Sequence, residues 1–329
     1  MEVAQQIGKI LNGFQPTLVL TTANQLRIFD QLGNEESTAE QLAADLKLSP
    51  QATQRLLNAL VAMGIASLRD DQYSLNSSWK PFLLQGGEHN MQQWIHLISD
   101  IVPVWLDLPR FVRTGKPVKN IMETLEKDPA ETRAFIDAMH DKALKAPWLI
   151  AREIPLGDYR RMLDIGGGPG TYSLEWAKVH NHLHATIFDI PNVLEVAKDY
   201  IQRYGLERQV ITQPGDFSKD DLGSGYDLIL IANVLHMYGA EQGKDLVQKA
   251  VDALERNGRI VIHGFCTDEG ETGPISDVMF SLNIGLSTPG GQSHSIPEKT
   301  NWLKEAGMKD IRSFRIDAIP TGVITGIKA

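Results

Sequence analysis

The chain has 329 residues, of which 42% are hydrophobic and 22% charged, the composition of a soluble globular protein long enough for two domains and a sizeable core. With 41 acidic against 32 basic side chains the formal charge is −9, so no overall positive field exists to hold a nucleic-acid backbone or an anionic membrane, and neither is expected as a partner. The single cysteine, Cys266, excludes an internal disulfide and a cysteine-rich zinc site and fits a reducing compartment, with the cytoplasm as the expected location. The start, MEVAQQIGKILNGFQ, reads as carrying no export signal. The uncharged stretch from Ile10 to Leu26 is interrupted by Asn12, Gly13, Gln15, Pro16 and Asn24 and is not expected to span a membrane.

In chain order, the first ninety residues read as short helices. Leu18, Val19, Ala23, Leu26, Ile28, Phe29 and Leu32 form a helical stripe over Pro16 to Leu32, with Gly33 as the expected C-terminal stop. Ser37 and Glu40 have capping-box spacing for a second helix, and Ser49-Pro50 opens a third that runs through Leu60 and Met63 to Gly64. Ile65 to Leu68 and Tyr73 to Leu75 flank an Arg69-Asp70-Asp71 turn and read as a hairpin. Helix, turn, helix and hairpin is the order of a winged helix. That module commonly reads DNA, but residues 1 to 90 hold six basic against nine acidic side chains, and the candidate recognition helix from Gln51 to Met63 has only Arg55. A packing or dimerisation domain over residues 1–90 is therefore expected, followed at 91–329 by a helical linker and a second domain.

From Met91 to Ile154 the pattern stays helical, carried by Trp94, Ile95, Ile98, Ile101 and Val102 and then by Phe135, Ile136, Met139 and Leu144. After Asp158 short apolar runs alternate with helical segments, the pattern of a parallel α/β sheet. The strands read are Arg161 to Ile165, Ala185 to Asp189, Val210 to Gln213, Asp227 to Ala232 and Arg259 to Phe265. Asp310 to Ile316 and Val323 to Lys328 add an antiparallel hairpin.

The strongest local signal is the strand end and glycine turn Leu163-Asp164-Ile165-Gly166-Gly167-Gly168-Pro169-Gly170. A dinucleotide fingerprint would need glycine where Thr171 stands, and an acid beside the loop would repel a pyrophosphate. The spacing Asp164-x-Gly166-x-Gly168-x-Gly170 instead suits a cationic ligand built from an amino acid and a nucleoside. Asp189, closing the next strand, can accept both hydroxyls of a ribose. Asp216 and Phe217, after the third strand, can hydrogen-bond and stack on an adenine, although Asp216 can equally cap a helix.

Together these segments resemble the S-adenosylmethionine-dependent small-molecule O-methyltransferases of the caffeate and acetylserotonin type. The resemblance runs over nearly the whole chain through LDIGGGPG, FDIP, GDF, Asn233-Val234-Leu235-His236-Met237-Tyr238 and Pro289-Gly290-Gly291. It implies a Rossmann-like methyltransferase sheet with a C-terminal antiparallel hairpin, preceded by a helical winged-helix domain that forms a homodimer. It implies S-adenosylmethionine at Asp164, Gly166, Gly168, Asp189, Asp216 and Phe217, and His236 as general base toward a small-molecule hydroxyl; no metal is expected at His236, His263 and His294, because neighbouring residues on a strand point to opposite faces and His263 reads as a core histidine. Phe135 and Met139 would line the acceptor pocket from one helix, with Tyr238 and Ile284 as further lining. The chain departs from the family where glutamates normally flank the histidine, because Gly264 and Ser293 stand at those positions. Without a carboxylate the imidazole is expected to titrate near its ordinary value of about 6.5. An S- or C-methylated acidic acceptor stays open, as do, on the residues alone, a nicotinamide oxidoreductase and a ligand-sensing DNA-binding regulator.

Overall fold

The computed structural model describes residues 2–329 and divides into two compact units, one ending at Pro103 and the other Val104–Ala329. The sequence reading drew this line at residue 90. It lies later because the first turns of the next helix belong to the N-terminal core, in which Ile95 is buried.

The N-terminal unit begins with α1 (Val3–Asn12), α2 (Phe14–Gln25) and α3 (Ile28–Asn34). The single helix expected from Pro16 to Leu32 is broken at Arg27, which adopts a left-handed conformation. At ~100° per residue Val19, Ala23 and Leu26 point roughly 140° away from Ile28, Phe29 and Leu32, so a straight helix could not turn both sets to one core, and Leu18, expected on the first stripe, stays exposed. Gly33 is not the stop. It lies inside α3, where an added Cβ would collide with the Leu84 side chain, and the helix ends before the extended Glu35. α4 (Ala39–Leu46) does open on a capping box, but one residue later than expected: Thr38 Oγ1 accepts from Gln41 N at 3.2 Å, and Gln41 Oε1 accepts from Thr38 N at 3.1 Å. α5 (Pro50–Ala62) leads into the antiparallel pair β1 (Ala66–Arg69) and β2 (Gln72–Leu75), and α6 (Lys80–Leu83) and α7 (Gln92–Leu106) follow. The core of this unit gathers Ile28, Phe29, Leu42, Leu57, Leu60 and Tyr73.

The second unit continues with α8 (Leu108–Thr114), α9 (Ile121–Lys127), α10 (Pro129–Ala143) and α11 (Ala146–Glu153). Strand and helix then alternate through β3 (Arg161–Ile165), α12 (Thr171–Val179), β4 (His184–Asp189), α13 (Pro191–Tyr204), β5 (Val210–Pro214), β6 (Tyr226–Ala232), α14 (Ala240–Ala253) and β7 (Leu254–Gly264). α15 (Ile275–Ser287), α16 (Ile296–Glu305), β8 (Met308–Arg315) and β9 (Gly322–Lys328) complete the chain. The seven strands lie in the order β5-β4-β3-β6-β7-β9-β8; the first five are parallel, and β9 and β8 are added antiparallel. Alternation along each strand builds two cores. Met162, Ile187, Leu228 and Leu230 face α11, α12 and α13, whereas Leu163, Ile165, Ile229 and Ile231 face α14 and α16. The strand order reverses between β3 and β6, and the carboxyl ends there are where a doubly wound sheet opens a crevice for a ligand.

Candidate active site

β3 delivers Asp164 and then turns through Gly166 and Gly168, both with positive φ, at 63° and 57°. A Cβ on Gly166 would stand 2.6 Å from Val234 Cγ2, so only glycine fits there. A Cβ on Gly168 would meet only Ile136 Cδ1, at 4.0 Å, which leaves open space beside the loop. Asp189, at the end of β4, ties this turn down: one carboxylate oxygen accepts from Gly168 N at 2.9 Å and the other from Ile190 N at 2.8 Å. Asp164 is fully buried. Its Oδ2 accepts from Ser173 Oγ at 2.8 Å, while its Oδ1 is buried without a hydrogen-bond partner. Burial pushes the Asp164 carboxyl up to about 7, with the neighbouring Asp189 adding to the effect, and burial likewise pushes Asp189 up to about 6. Two raised acids and one orphaned oxygen at a single turn describe a place that a bound cation would relieve.

The segment after β5 closes the other side. The Phe217 ring comes within 3.7 Å of the Cβ position on Gly166 and meets Tyr238 edge-on at 5.4 Å between centroids. Next to these rings is a cavity of about 120 Å³ that Gln242 and Leu246 also line. No helix follows Asp216, so it caps none; its Oδ1 accepts from Ser218 N and Oγ and its Oδ2 pairs with Lys219 at 2.7 Å, which fixes a turn. These hydrogen bonds hold its pKa below the usual carboxylate range, against the opposing effect of partial burial, which is the largest single contribution.

Beyond β6, Asn233 is left-handed with φ 56°, and the chain makes one 3₁₀ turn, Leu235–Met237. This turn buries His236 and sets its ring edge-on to Phe280 at 4.7 Å. Phe280 stacks on Phe265 at 3.7 Å, and the Lys142 ammonium sits over both rings, 4.8 Å from Phe265 and 5.4 Å from Phe280. No carboxylate answers at the two substituted positions. Gly264 has only its backbone to offer, and Ser293 Oγ donates to Asp277 O at 3.2 Å. The expected titration of His236 near 6.5 is overturned. Burial first, and then the positive charges of Lys142, Lys299 and His294, hold the imidazole well below that value.

The remaining candidates divide. Phe135 and Met139 are half-buried on α10, Phe135 packing against the core of the second unit. The same helix carries Ile136 to the glycine loop and Lys142 to the two phenylalanines, which makes α10 one wall of the site. Ile284 is buried, with its carbonyl 3.0 Å from the Cβ position on Gly291. His263 is a satisfied core residue whose Nδ1 pairs with Tyr172 OH at 2.8 Å and Nε2 with Thr321 Oγ1 at 2.7 Å. Among the described residues no group of three or more His, Cys, Asp or Glu is arranged to hold a metal ion. Sequence reasoning gave Phe265, Phe280 and Lys142 no part in the site. The spacing of Phe135, Met139 and Lys142, three and four residues apart on one helix face, was the available signal.

Comparison with known proteins decides between the ligand classes left open. The family model for an O-methyltransferase domain matches residues 108–309, and that for an O-methyltransferase dimerisation domain matches residues 9–78. The chain belongs to the O-methyltransferase family. It is 27% identical over 326 residues to a 3-hydroxy-5-methyl-1-naphthoate 3-O-methyltransferase of Streptomyces sahachiroi, covering 97% of this chain and 94% of the relative. It is 26% identical to the N,N-dimethyltransferase OxyT of Streptomyces rimosus, over 95% of this chain and 93% of OxyT. The solved structure of PigF with SAH superposes with a TM-score of 0.88 at 27% identity, covering 98% of this chain and 99% of PigF; PigF, from a Serratia species, is an S-adenosyl-L-methionine-dependent methyl transferase. The enzyme is an S-adenosylmethionine-dependent methyltransferase, and the dinucleotide reading is set aside. The loop fits this cofactor on its own geometry, since the orphaned Asp164 oxygen and the open flank of Gly168 suit a cationic ligand.

Proposed function

We propose that this methyltransferase acts on the hydroxyl of an aromatic small molecule, with His236 as the base, and that it works as a homodimer in the cytoplasm. One observation carries the reading: an unbroken run of contacts leads from the Gly166 turn through Phe217 and Tyr238, and the same short segment then buries His236 against Phe280. S-adenosylmethionine supplies an electrophilic methyl on a sulfonium when bound. Asp164 would hold the cationic end of that ligand, Asp189 its ribose hydroxyls, and Phe217 its adenine, with Gly166 and Gly168 allowing backbone approach. Asp216 would support the adenine side by fixing the turn that presents Phe217. Phe265, Phe280 and Tyr238, with Met139 and Ile284, would form a dry aromatic pocket that fits a planar acceptor. His236 stays neutral at physiological pH and so is in the form that accepts a proton. It would receive the proton the hydroxyl loses as the oxygen forms its new bond. The naphthoate specificity in the name of the Streptomyces sahachiroi relative supports an aromatic hydroxyl.

A second reading rests on the same imidazole. Cations around His236 make its protonated form costly, which favours an acceptor that ionises without help, such as a thiol or an acidic carbon. Incubating the protein with S-adenosylmethionine and a panel of naphthols and hydroxynaphthoates, with products read by mass, tests the first. His236→Ala should lower turnover by about 10² to 10⁴-fold while cofactor affinity is unchanged. A loss under about tenfold would move the assignment to the second reading.

A further inference from the structure

The imidazole of His236 lacks the support that a base ordinarily takes from a third, hydrogen-bonded group. Gly264 has no side chain to give, and Ser293 Oγ donates to Asp277 O at 3.2 Å. Gln292 N donates to the His236 carbonyl at 2.9 Å, which fixes the backbone of the 3₁₀ turn, but among the described residues no hydrogen bond reaches the ring. The torsion that turns such a ring about its Cβ–Cγ bond is broad, so an unsupported imidazole would present its nitrogens in several directions. What the ring does meet is Phe280, edge-on with 4.7 Å between centroids and 82° between planes. Phe280 is held in turn. It stacks on Phe265 at 3.7 Å and 11°, and Phe265 directly follows Gly264 at the end of β7. One helical turn before Phe280 on α15, the buried Asp277 accepts from Cys266 N at 2.6 Å and pairs with Arg315 at 3.2 Å, so helix and strand end are tied at two points.

We infer that Phe280 is the positioning residue of His236, an aromatic ring that orients the imidazole by contact where a carboxylate would do so by a hydrogen bond. This rests on the reading of His236 as the base. Edge-to-face packing is a preferred geometry for neighbouring rings, and any rotation of the imidazole gives up that contact while Phe280, stacked on Phe265, cannot follow it. The substitution has a chemical consequence. A carboxylate partner would raise the affinity of the imidazole for a proton, whereas an apolar ring excludes water and adds no negative charge, so the imidazole is oriented and stays neutral. This agrees with its depressed pKa, whose causes are burial first and then the positive charges of Lys142 on α10, Lys299 on α16 and His294, with no acid among them.

The test uses the whole chain as wild type, Phe280→Leu and Phe280→Tyr, with the leucine change made in a His236→Ala background as well. With 2-naphthol as acceptor and S-adenosylmethionine saturating, Phe280→Leu should lower kcat about tenfold in the His236 enzyme and by less than about twofold in the His236→Ala background, with KM for the acceptor changed less than kcat. Phe280→Tyr keeps the ring and should stay within about threefold of wild type. Equal losses in the two backgrounds, or a loss confined to KM, would mean that Phe280 serves the acceptor rather than the base and would overturn the inference. A second readout needs no turnover. In protein saturated with SAH and carrying isotope-labelled histidine, the ring-proton resonance of His236 is assigned by its absence in His236→Ala. That resonance should shift in Phe280→Leu, and its titration midpoint should rise toward about 6.5 as water reaches the imidazole. An unmoved resonance with an unmoved midpoint overturns the inference. His236→Ala costing less than about tenfold would remove the base reading, while the resonance would still report whether Phe280 holds the ring. Should Phe280→Leu fail to fold, by melting or by SAH affinity, Phe280→Met takes its place.

Discussion

At the scale of single residues, this site is built on ionisable groups held away from their ordinary charge. Asp164 is the clearest case, because burial raises its pKa to about 7 and one of its oxygens has no partner. A raised acid contributes stability that is present below its unfolded value, near 3.8, and is lost as pH rises through about 7. The ligand-free protein should therefore lose stability across that window, where an ordinary paired carboxylate is already ionised in both states and contributes no slope. Binding of a cationic ligand favours the ionised form. S-adenosylmethionine affinity should consequently rise with pH, by up to about tenfold per unit, and level off above about pH 7. Calorimetric titration from about pH 5 to 8 checks this. The dependence should vanish in Asp164→Asn, and a flat profile in wild type would remove Asp164 from the cofactor site.

At the scale of elements, what matters is where chain segments change direction. Arg27 turns α2 into α3 so that two misaligned stripes reach one core, and Asn233 turns the end of β6 into the 3₁₀ segment that buries His236. The turn between β3 and α12 is the most constrained of these. Gly166→Ala would place a Cβ 2.6 Å from Val234 Cγ2 at a residue with φ 63°. Strain and overpacking together should cost about 1 to 4 kcal/mol of stability, read by denaturant unfolding of the cofactor-free enzyme. Since Val234 begins the segment that carries His236, the variant should lose turnover as well as stability. Wild-type melting with wild-type turnover would show that the loop yields more easily than its packing implies.

At the scale of the molecule, the N-terminal unit exposes apolar side chains that a monomer would not leave in water. Val3, Ile7, Ile10, Phe14 and Leu18 recur at three- and four-residue spacing along α1 and α2, with exposures from 39% at Leu18 to 78% at Ile10. This stripe overlaps the matched dimerisation domain at residues 9–78. The parent should be dimeric in light scattering at micromolar concentration, and the double variant Ile7→Glu/Ile10→Glu monomeric. The variant should keep its cofactor affinity, because Asp164, Asp189 and Phe217 all belong to the second unit. A dimeric double variant would place the interface elsewhere.

The sheet and its glycine loop were legible in the amino-acid sequence because each is written locally, whereas His236 was reached only through the resemblance of its segment to the O-methyltransferases. A buried parallel strand must be a short apolar run, a backbone that approaches a ligand must be glycine, and an acid that closes a strand stands at a fixed offset from it. The break at Arg27, the shifted capping box and the packing role of Gly33 were not legible, because each depends on which face meets a neighbour such as Leu84, tens of residues away. The same holds for the charge of the site. Substitution by Gly264 and Ser293 announced a histidine without carboxylates, but only the tertiary structure gathered Lys142 from α10, Lys299 from α16 and His294 around it. Residue spacing fixes which side chains share a strand or a helix face, whereas a pKa is set by every charge within a few ångströms and by the water excluded there, and both of those are products of the folded chain.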